Sequence, residues 1–150
     1  LGLLKLLELV TQNKHIWDFK GQKAAIDIMT WIYKGSYTIS DKIVKNETDF
    51  SYLSYPIKMI QLCVNNGVTP ILVFDGWHLE AKAVTENSWI EEKLQMKKKG
   101  KELEEAGYDQ DAKKCYNRSV QITAEMIDVL IDLLQMMHFE IIVAPYEADA

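Results

Sequence analysis

Short apolar runs that end at or near acidic residues recur along the chain. Residues 71–76 (ILVFDG) begin with four large apolar side chains, too few for a helix and too apolar for a strand with one face in water. Such a run is typical of a strand that is buried on both faces of a parallel sheet. Residues 24–27 (AAID) and 141–144 (IIVA) repeat the pattern. The three runs therefore predict three parallel strands.

Between these runs, hydrophobic side chains recur at helical spacing. The spacing predicts helices at the ranges 3–10, 28–34, 52–64 and 112–137, with Gly67 just beyond the end of the third. The mixed polar residues 35–51 predict a loop. Residues 80–106 hold few apolar positions after Ile90, so we expect an exposed helical insertion that is divided at Gly100 and Gly107. The order β-α-α-β, insertion, α, β predicts an α/β fold.

Composition narrows the class of protein. The chain has 150 residues, 48% hydrophobic and 26% charged, as expected for one folded globular domain. No apolar run is long enough to cross a bilayer, and the first residues lack the pattern of a signal peptide, so we expect no membrane partner. Cys63 and Cys115 lack the spacing of a metal site, which favours a reducing, intracellular compartment. Because the chain stops just after an acidic pair, we expect a fragment of a longer protein.

The distribution of charge is more informative than its sum. A formal net charge of −5 argues weakly against a general binder of polyanions. The predicted insertion nevertheless holds a cluster of lysines, and Arg118 is the only arginine of the sequence. The clustered residues are Lys93, Lys97, Lys98, Lys99 and Lys101. They form either a solvated helix face or a surface that attracts phosphate groups.

Four carboxylates follow the predicted strands. Asp27 and Asp75 come at the ends of the first two strands, and Glu147 and Asp149 come shortly after the third. Ligands of open α/β sheets bind at the carboxyl ends of the strands. Carboxylates without histidine or cysteine suit Mg²⁺ or Mn²⁺, and two such ions about 4 Å apart can assist hydrolysis of a phosphodiester. The alternative for each single acid is a helix cap or a turn, but four together favour a metal site.

Several segments resemble a known superfamily of nucleases. The sequences VFDG at 73–76, APYEADA at 144–150 and GLL at 2–4 resemble the amino-terminal region of the flap endonuclease and xeroderma G-type nuclease superfamily. Within it, WIYKG at 31–35, PILVFDG at 70–76 and CYNRSVQIT at 115–123 are similar to the exonuclease 1 family. The resemblance covers essentially the whole chain. It implies a PIN-like 5′ nuclease fold, in which a twisted parallel sheet is flanked by helices and a helical arch, at about residues 80–118, covers the active site.

The resemblance also implies an activity. Members hydrolyse DNA as 5′ to 3′ exonucleases and 5′ flap endonucleases by a two-metal-ion mechanism with Mg²⁺, for which Mn²⁺ can substitute. The expected setting is DNA repair or replication in the nucleus. The expected partners are DNA with 5′ ends or flaps, and mismatch-repair or replication proteins bound through an absent carboxyl-terminal part. Residues 1–150 would be the amino-terminal part of the nuclease domain, inactive without the remainder.

Individual site residues follow from the same resemblance. The implied metal ligands are Asp27, Asp75, Glu147 and Asp149, and the implied catalytic residues are Asp75 and Lys82, the latter at the scissile phosphate. The implied DNA contacts are Gly2, Met29, Tyr33, Trp89, Lys93, Lys97 and Arg118. Three of these depart from the family pattern, because Trp89 replaces an arginine, Met29 a tyrosine and Tyr33 a histidine. We expect Trp89 to stack on a base and Lys93, one helical turn further, to supply part of the missing charge.

Two alternatives remain at the level of sequence. The first is a flap endonuclease or xeroderma G-type relative, which belongs to the same enzyme class. The second is a nuclease-fold protein with weakened catalysis that binds nucleic acid or a protein partner. Trp89, Met29 and the negative net charge favour this second alternative, whereas the four acids oppose it. A phosphotransfer enzyme is disfavoured, because no glycine-rich loop with a lysine follows a predicted strand.

Overall fold

A computed structural model of the chain describes residues 10–76 and 83–145, except for the side chains of residues 83–87. The helix expected at residues 3–10 lies almost entirely outside the described residues. The elements, in chain order, are β1 (Lys23–Asp27), α1 (Met29–Ser36), α2 (Ser40–Val44), α3 (Ser54–Asn65), β2 (Thr69–Phe74), α4 (Ala83–Glu105), α5 (Asp109–Ser119), α6 (Ala124–Met136) and β3 (Glu140–Val143). Short 3₁₀ turns lie at Ile16–Phe19, Tyr37–Ile39 and Ser51–Leu53.

The three strands form one parallel sheet in the order β1-β2-β3. Asp27 at the end of β1 is paired with Val73 of β2. The ladder between β2 and β3 continues past β3, since the Ala144 N–H donates to the Phe74 carbonyl at 2.9 Å. All three strands therefore reach the same edge of the sheet in step. This confirms the three strands and the α/β class that the apolar runs predicted.

The main core lies between the sheet and the helices α1, α3 and α6. Its buried members are Ile28, Ile32, Ile39, Tyr52, Ile60, Leu72, Phe74, Leu130 and Leu134. Leu72 and Phe74 are buried because β2 is the central strand, but Ile71 and Val73 on its other face are only half-buried. The prediction that this strand is buried on both faces is therefore wrong for the described residues.

The loop predicted at residues 35–51 is also wrong. Helix α1 continues to Ser36, a 3₁₀ turn follows, and α2 begins at Ser40. Ser36 donates its hydroxyl hydrogen to the Ile32 carbonyl at 2.8 Å, and Ser40 donates to Asn117 Oδ1 at 2.6 Å. Both serines are fully buried, and these hydrogen bonds satisfy the hydroxyl groups that burial removes from water. The polar composition of the segment therefore hid the last two residues of α1, the 3₁₀ turn and the whole of α2.

The helix predicted over residues 112–137 is divided in the structure. Helix α5 ends at Ser119, the chain is extended at Val120, and Thr123 caps α6 by accepting a hydrogen bond from the Met126 N–H at 3.2 Å. Gly100, by contrast, does not divide the insertion, because α4 runs through it to Glu105. The end of α3 before Gly67 was predicted correctly.

Helices α4 and α5 form a hairpin that packs on α2. A second small core holds Val44, Ala112 and Tyr116, with Leu103 packed against it. Lys113 also forms an ion pair with Asp41. The expectation of an insertion without a core therefore fails at the Leu103 end of α4, where this packing is found. Within the described ranges, no helix has the length and apolarity needed to span a membrane.

Candidate active site

Asp27 is held at the carboxyl end of β1 by the first turn of α1. Its Oδ1 accepts a hydrogen bond from the Met29 N–H at 2.9 Å, and its Oδ2 lies 3.4 Å from the Thr30 hydroxyl. Asp27 precedes the N-cap residue Ile28, and its carboxylate satisfies a backbone N–H at the start of α1. The carboxylate nevertheless remains exposed to solvent. These hydrogen bonds therefore orient the Asp27 side chain while it stays exposed at the end of β1.

Asp75 follows β2 directly and is also exposed. The next residue, Gly76, touches the chain that leaves β3. A Cβ atom placed on Gly76 would lie 1.8 Å from the Ala144 carbonyl oxygen. The backbone after β2 and the backbone after β3 are therefore in direct contact at the edge that carries Asp75.

Four predicted site residues lie outside the described residues. They are Gly2, Lys82, Glu147 and Asp149. Among the residues that the structure describes, no three acidic, histidine or cysteine side chains form a group that could hold a metal ion. The proposed metal set therefore depends on Glu147 and Asp149, which follow Ala144 by three and five positions in the sequence.

Tyr33 and Lys93 meet at the same edge of the sheet. Tyr33 lies on α1 and is half-buried, and its pKa is raised first by burial and then by the negative charge of Asp75. Lys93 lies on α4, and its Nζ is 5.5 Å from the centroid of the Tyr33 ring, within cation–π range. Burial lowers the pKa of Lys93. Tyr33 on α1 therefore contacts Lys93 of α4 and lies within electrostatic reach of Asp75, which follows β2.

Met29 and Trp89 differ in their surroundings. Met29 is half-buried and packs against the main core, so part of its surface is already used in the fold. Trp89 lies on α4 with 60% of its surface exposed. The exposed indole is available for stacking, whereas Met29 contributes to packing.

Lys97 and Arg118 lie on the two helices of the hairpin, Lys97 on α4 and Arg118 near the end of α5. Lys97 and Lys93 line a cavity of about 130 Å³ between α2, α4 and the segment after α5. Arg118 Nη2 is 3.6 Å from Glu92 Oε1, and both side chains are mostly exposed. Such a pair is weak in water, so the guanidinium can exchange this partner for another anion. No predicted site residue lines the larger cavity, of about 280 Å³, that residues 43–52 form with residues 123–129.

The sequence analysis missed a polar cluster that supports the hairpin. Glu104 on α4 accepts hydrogen bonds from Lys45 Nζ and from the Tyr116 hydroxyl, each at 2.7 Å. These partners hold the pKa of Glu104 below its usual range. Burial, followed by the bond to Glu104, raises the pKa of Tyr116 to about 12. Lys45 is 59 residues from Glu104, and no short-range pattern in the sequence signals the contact.

Comparison with known proteins assigns the chain to a family. A family model described as the XPG N-terminal domain matches residues 1–96. The chain belongs to the XPG N-terminal domain family. The match contains Asp27, Tyr33, Asp75, Trp89 and Lys93, and Arg118 lies beyond it. The resemblance seen in the sequence is therefore confirmed at the level of the family.

Relatives of this XPG N-terminal domain chain include named exonucleases. Exonuclease 1 of Danio rerio is 36% identical over 149 residues, which cover 99% of the chain and 18% of the relative. Exodeoxyribonuclease 1 of Schizosaccharomyces pombe is 36% identical, covering 99% and 26%. DNA damage-inducible protein DIN7 of Saccharomyces cerevisiae is 32% identical, covering 99% and 34%. The chain thus spans between about a fifth and a third of these relatives.

A solved structure supports the fold of this XPG N-terminal domain chain. The catalytic core of Rad2 in complex with DNA substrate matches with a TM-score of 0.62 and 18% identity, covering 98% of the chain and 37% of that structure. At this identity the likeness establishes a shared fold. It confirms the parallel sheet flanked by helices.

Proposed function

We propose that the chain is the amino-terminal part of a structure-specific 5′ DNA nuclease. The enzyme would act as a 5′ to 3′ exonuclease and a 5′ flap endonuclease in DNA repair or replication, in the nucleus. The observation that carries the proposal is the register of the sheet. Asp27 and Asp75 lie at one edge, and the Ala144–Phe74 hydrogen bond means that the chain leaves β3 at the same edge, three residues before Glu147 in the sequence. The relatives named exonuclease 1 and exodeoxyribonuclease 1 support the same proposal.

The described carboxylates fit a hard divalent cation. Asp27 and Asp75 are exposed oxygen donors at adjacent strand ends, and Mg²⁺ prefers oxygen ligands and keeps several waters. Two bound ions, Mg²⁺ or Mn²⁺, would supply an activated water and stabilise the leaving oxygen. Within the chain, Met29 N–H and Thr30 orient Asp27, so that its ligand geometry is set before metal binds.

Positive and aromatic side chains from the hairpin and from other parts of the chain would hold the DNA. Lys82 is proposed at the scissile phosphate, and Lys93 and Lys97 at neighbouring phosphates. The exposed ring of Trp89 is proposed to stack on an unpaired base, a contact that tolerates any base sequence. Arg118 would add charge after exchanging Glu92 for phosphate. Gly2, Met29 and Tyr33 are proposed to line the path of the strand.

A second candidate function is DNA binding without cleavage. Met29 is packed against the core and Trp89 takes the place of a basic residue, so the means of holding a scissile phosphate are reduced. This candidate shares the fold and the DNA surface of the first. It differs in having no metal-dependent hydrolysis.

Cleavage of labelled DNA by the full natural chain separates the two candidates. The substrates are 5′-recessed and 5′-flap DNA, with Mg²⁺ or with a chelator. Asp75→Asn keeps the shape of the side chain but removes a charge from the strand edge. We expect it to lower cleavage at least about 100-fold, the scale of losing one group that stabilises charge in a transition state.

Asp132→Asn is the matched control. Asp132 is exposed on α6, whose carboxyl end leads to the start of β3 and therefore to the opposite edge of the sheet. Equal loss in both variants would contradict a specific role for Asp75. Intact DNA with retained binding by the unsubstituted protein would replace the nuclease proposal with the binding candidate.

A further inference from the structure

The ammonium group of Lys93 occupies a position unlike that of an ordinary surface lysine. The side chain is half-buried, whereas Lys98 and Lys99 on the same helix are exposed. It reaches from α4 to α1, where its Nζ lies 5.5 Å from the centroid of the Tyr33 ring. Burial lowers its pKa, which agrees with an ammonium that has lost part of its water. Lys93 therefore connects the helical hairpin to the edge of the sheet.

The Tyr33 side of the contact lies next to the candidate metal site. Tyr33 is on the helix that starts just after Asp27, and the charge of Asp75 acts on its hydroxyl group. Helix α1 packs on the main core through Ile32, and α4 packs on the small core through Leu103, about ten residues beyond Lys93. The ring therefore holds a cation close to the carboxyl ends of β1 and β2.

An aromatic ring has an advantage over a carboxylate as the partner of this lysine. A carboxylate would neutralise the ammonium and compete with any phosphate that approaches it. The face of a ring attracts a cation through its quadrupole and leaves the net charge in place. Lys93 can thus be oriented and still keep its attraction for an anion.

We infer that Tyr33 is a positioning residue, whose ring holds the Lys93 ammonium over the strand ends so that it contacts a phosphate of bound DNA. This inference rests on the proposed function and adds a named partner for the phosphate contact. Without the ring, the four-carbon side chain of Lys93 would sample many rotamers, and ordering it on DNA would cost more entropy. Tyr33 and Lys93 should therefore act on DNA binding as one unit.

Salt dependence of DNA binding tests the pair without relying on cleavage. The affinity of the full natural chain for labelled 5′-flap DNA is measured from about 50 to 200 mM salt with Ca²⁺ in place of Mg²⁺. The logarithm of the affinity falls linearly with the logarithm of the salt concentration, and each lost phosphate contact lowers the magnitude of this slope by about 0.7 to 0.9. We expect Lys93→Met to lower the slope by about this amount and Tyr33→Leu to lower it in the same direction. The double variant should bind the DNA no more weakly than Lys93→Met alone.

Two further variants separate the ring from other roles of tyrosine. Tyr33→Phe keeps the ring and removes the hydroxyl, so it should restore the slope that Tyr33→Leu loses. Tyr55→Leu is the matched control, because Tyr55 on α3 carries a similar contact with Lys34, at 5.8 Å from Nζ to the ring centroid. Tyr55→Leu should leave the salt dependence of DNA binding unchanged.

Specific outcomes would overturn the inference. Additive losses in the double variant would mean that Tyr33 and Lys93 act separately. If Tyr33→Phe bound DNA as weakly as Tyr33→Leu, the effect would belong to the hydroxyl group. If the unsubstituted protein cleaves DNA but the effects of the two substitutions on DNA binding are additive, only this inference is wrong. If the effects on DNA binding are coupled but the unsubstituted protein does not cleave DNA, only the nuclease proposal is wrong.

Discussion

Glu104 receives hydrogen bonds from two side chains that belong to different parts of the fold. Lys45 comes just after α2, and Tyr116 lies on α5. Tyr116 is buried as a whole, and its hydroxyl donates to a carboxylate that is partly exposed, so this hydrogen bond contributes to stability. At the scale of single residues, this cluster determines how firmly the hairpin is fixed to α2.

Tyr116→Phe should therefore weaken the fold while leaving its packing intact. We expect the free energy of unfolding at pH 7 to fall by about 1 kcal/mol, the typical value of a side-chain hydrogen bond. The pKa of Tyr116 is raised from 10.0 to about 12, so its contribution is complete below pH 10 and is lost as the pH rises through 12. Denaturant unfolding of both proteins from pH 7 to 11 measures the difference.

Tyr108→Phe provides the control, since Tyr108 is exposed in the turn between α4 and α5. Its stability should follow that of the unsubstituted protein across the same range. A difference between the Tyr116→Phe and unsubstituted proteins that stayed constant up to pH 11 would contradict the raised pKa of Tyr116.

Single residues of the candidate site were predictable to different degrees. Asp27 and Asp75 could be found from sequence, because an acid at the end of an apolar run needs only local information. The contact of Lys93 with Tyr33 could not, since it joins residues 60 positions apart and depends on how the hairpin folds over the sheet. Helical spacing indicated only that Lys93 shares a face with Trp89.

At the scale of elements, the close approach of α4 and α5 depends on Gly100. A Cβ atom at this position would lie 2.6 Å from Cε1 of the Tyr116 ring and 3.3 Å from Cβ of Cys115. Both neighbours are buried, so they have little room to move. The sequence suggested a helix break at Gly100, because glycine disfavours helices, but packing between the two helices overrides that local preference.

Gly100→Val should separate the two helices. We expect a loss of about 1 to 3 kcal/mol in the free energy of unfolding, the usual cost of overpacking a core. Lys99→Val at the adjacent exposed position is the control, because it adds the same side chain to the same helix where space is open. Thermal unfolding of both variants measures the difference. Equal melting temperatures would mean that the contact with Tyr116 relaxes freely.

Elements with clear periodicity were predicted well, and those with masked periodicity were not. The strands and the end of α3 follow from apolar runs and a glycine. The end of α1 and the whole of α2 were missed because Ser36 and Ser40 are polar in sequence but buried in the fold. The break between α5 and α6 was missed because Thr123 sits within a pattern that continues on both sides of it.

At the scale of the whole molecule, the sheet places the ends of distant segments side by side. The family relation and the α/β class could be predicted from sequence because the acids and strands are both local signals. The shape of the site could not, because it depends on the contact between Gly76 and Ala144. These residues are 68 positions apart, and α4, α5 and α6 lie between them in the sequence.

Gly76→Ala tests this arrangement. The added methyl group would overlap the Ala144 carbonyl oxygen and approach Pro145, so the chain after β2 must move away from the chain after β3. A displacement of about 1 Å at a catalytic site can lower the rate about 100-fold. We expect a loss of metal-dependent cleavage of this size, measured on 5′-flap DNA with the full natural chain.

Gly21→Ala separates damage to the site from general loss of stability. Gly21 has a φ of +83° but no atom within 4 Å of its added Cβ, and it lies just before β1, at the opposite edge from Asp75. The strain of a left-handed alanine costs about 1 to 2 kcal/mol, so Gly21→Ala should be less stable but keep its cleavage rate at low temperature. If Gly76→Ala instead cleaved as fast as Gly21→Ala, the relative position of the two strand ends would not control catalysis. The acids after β3 would then act independently of Asp75.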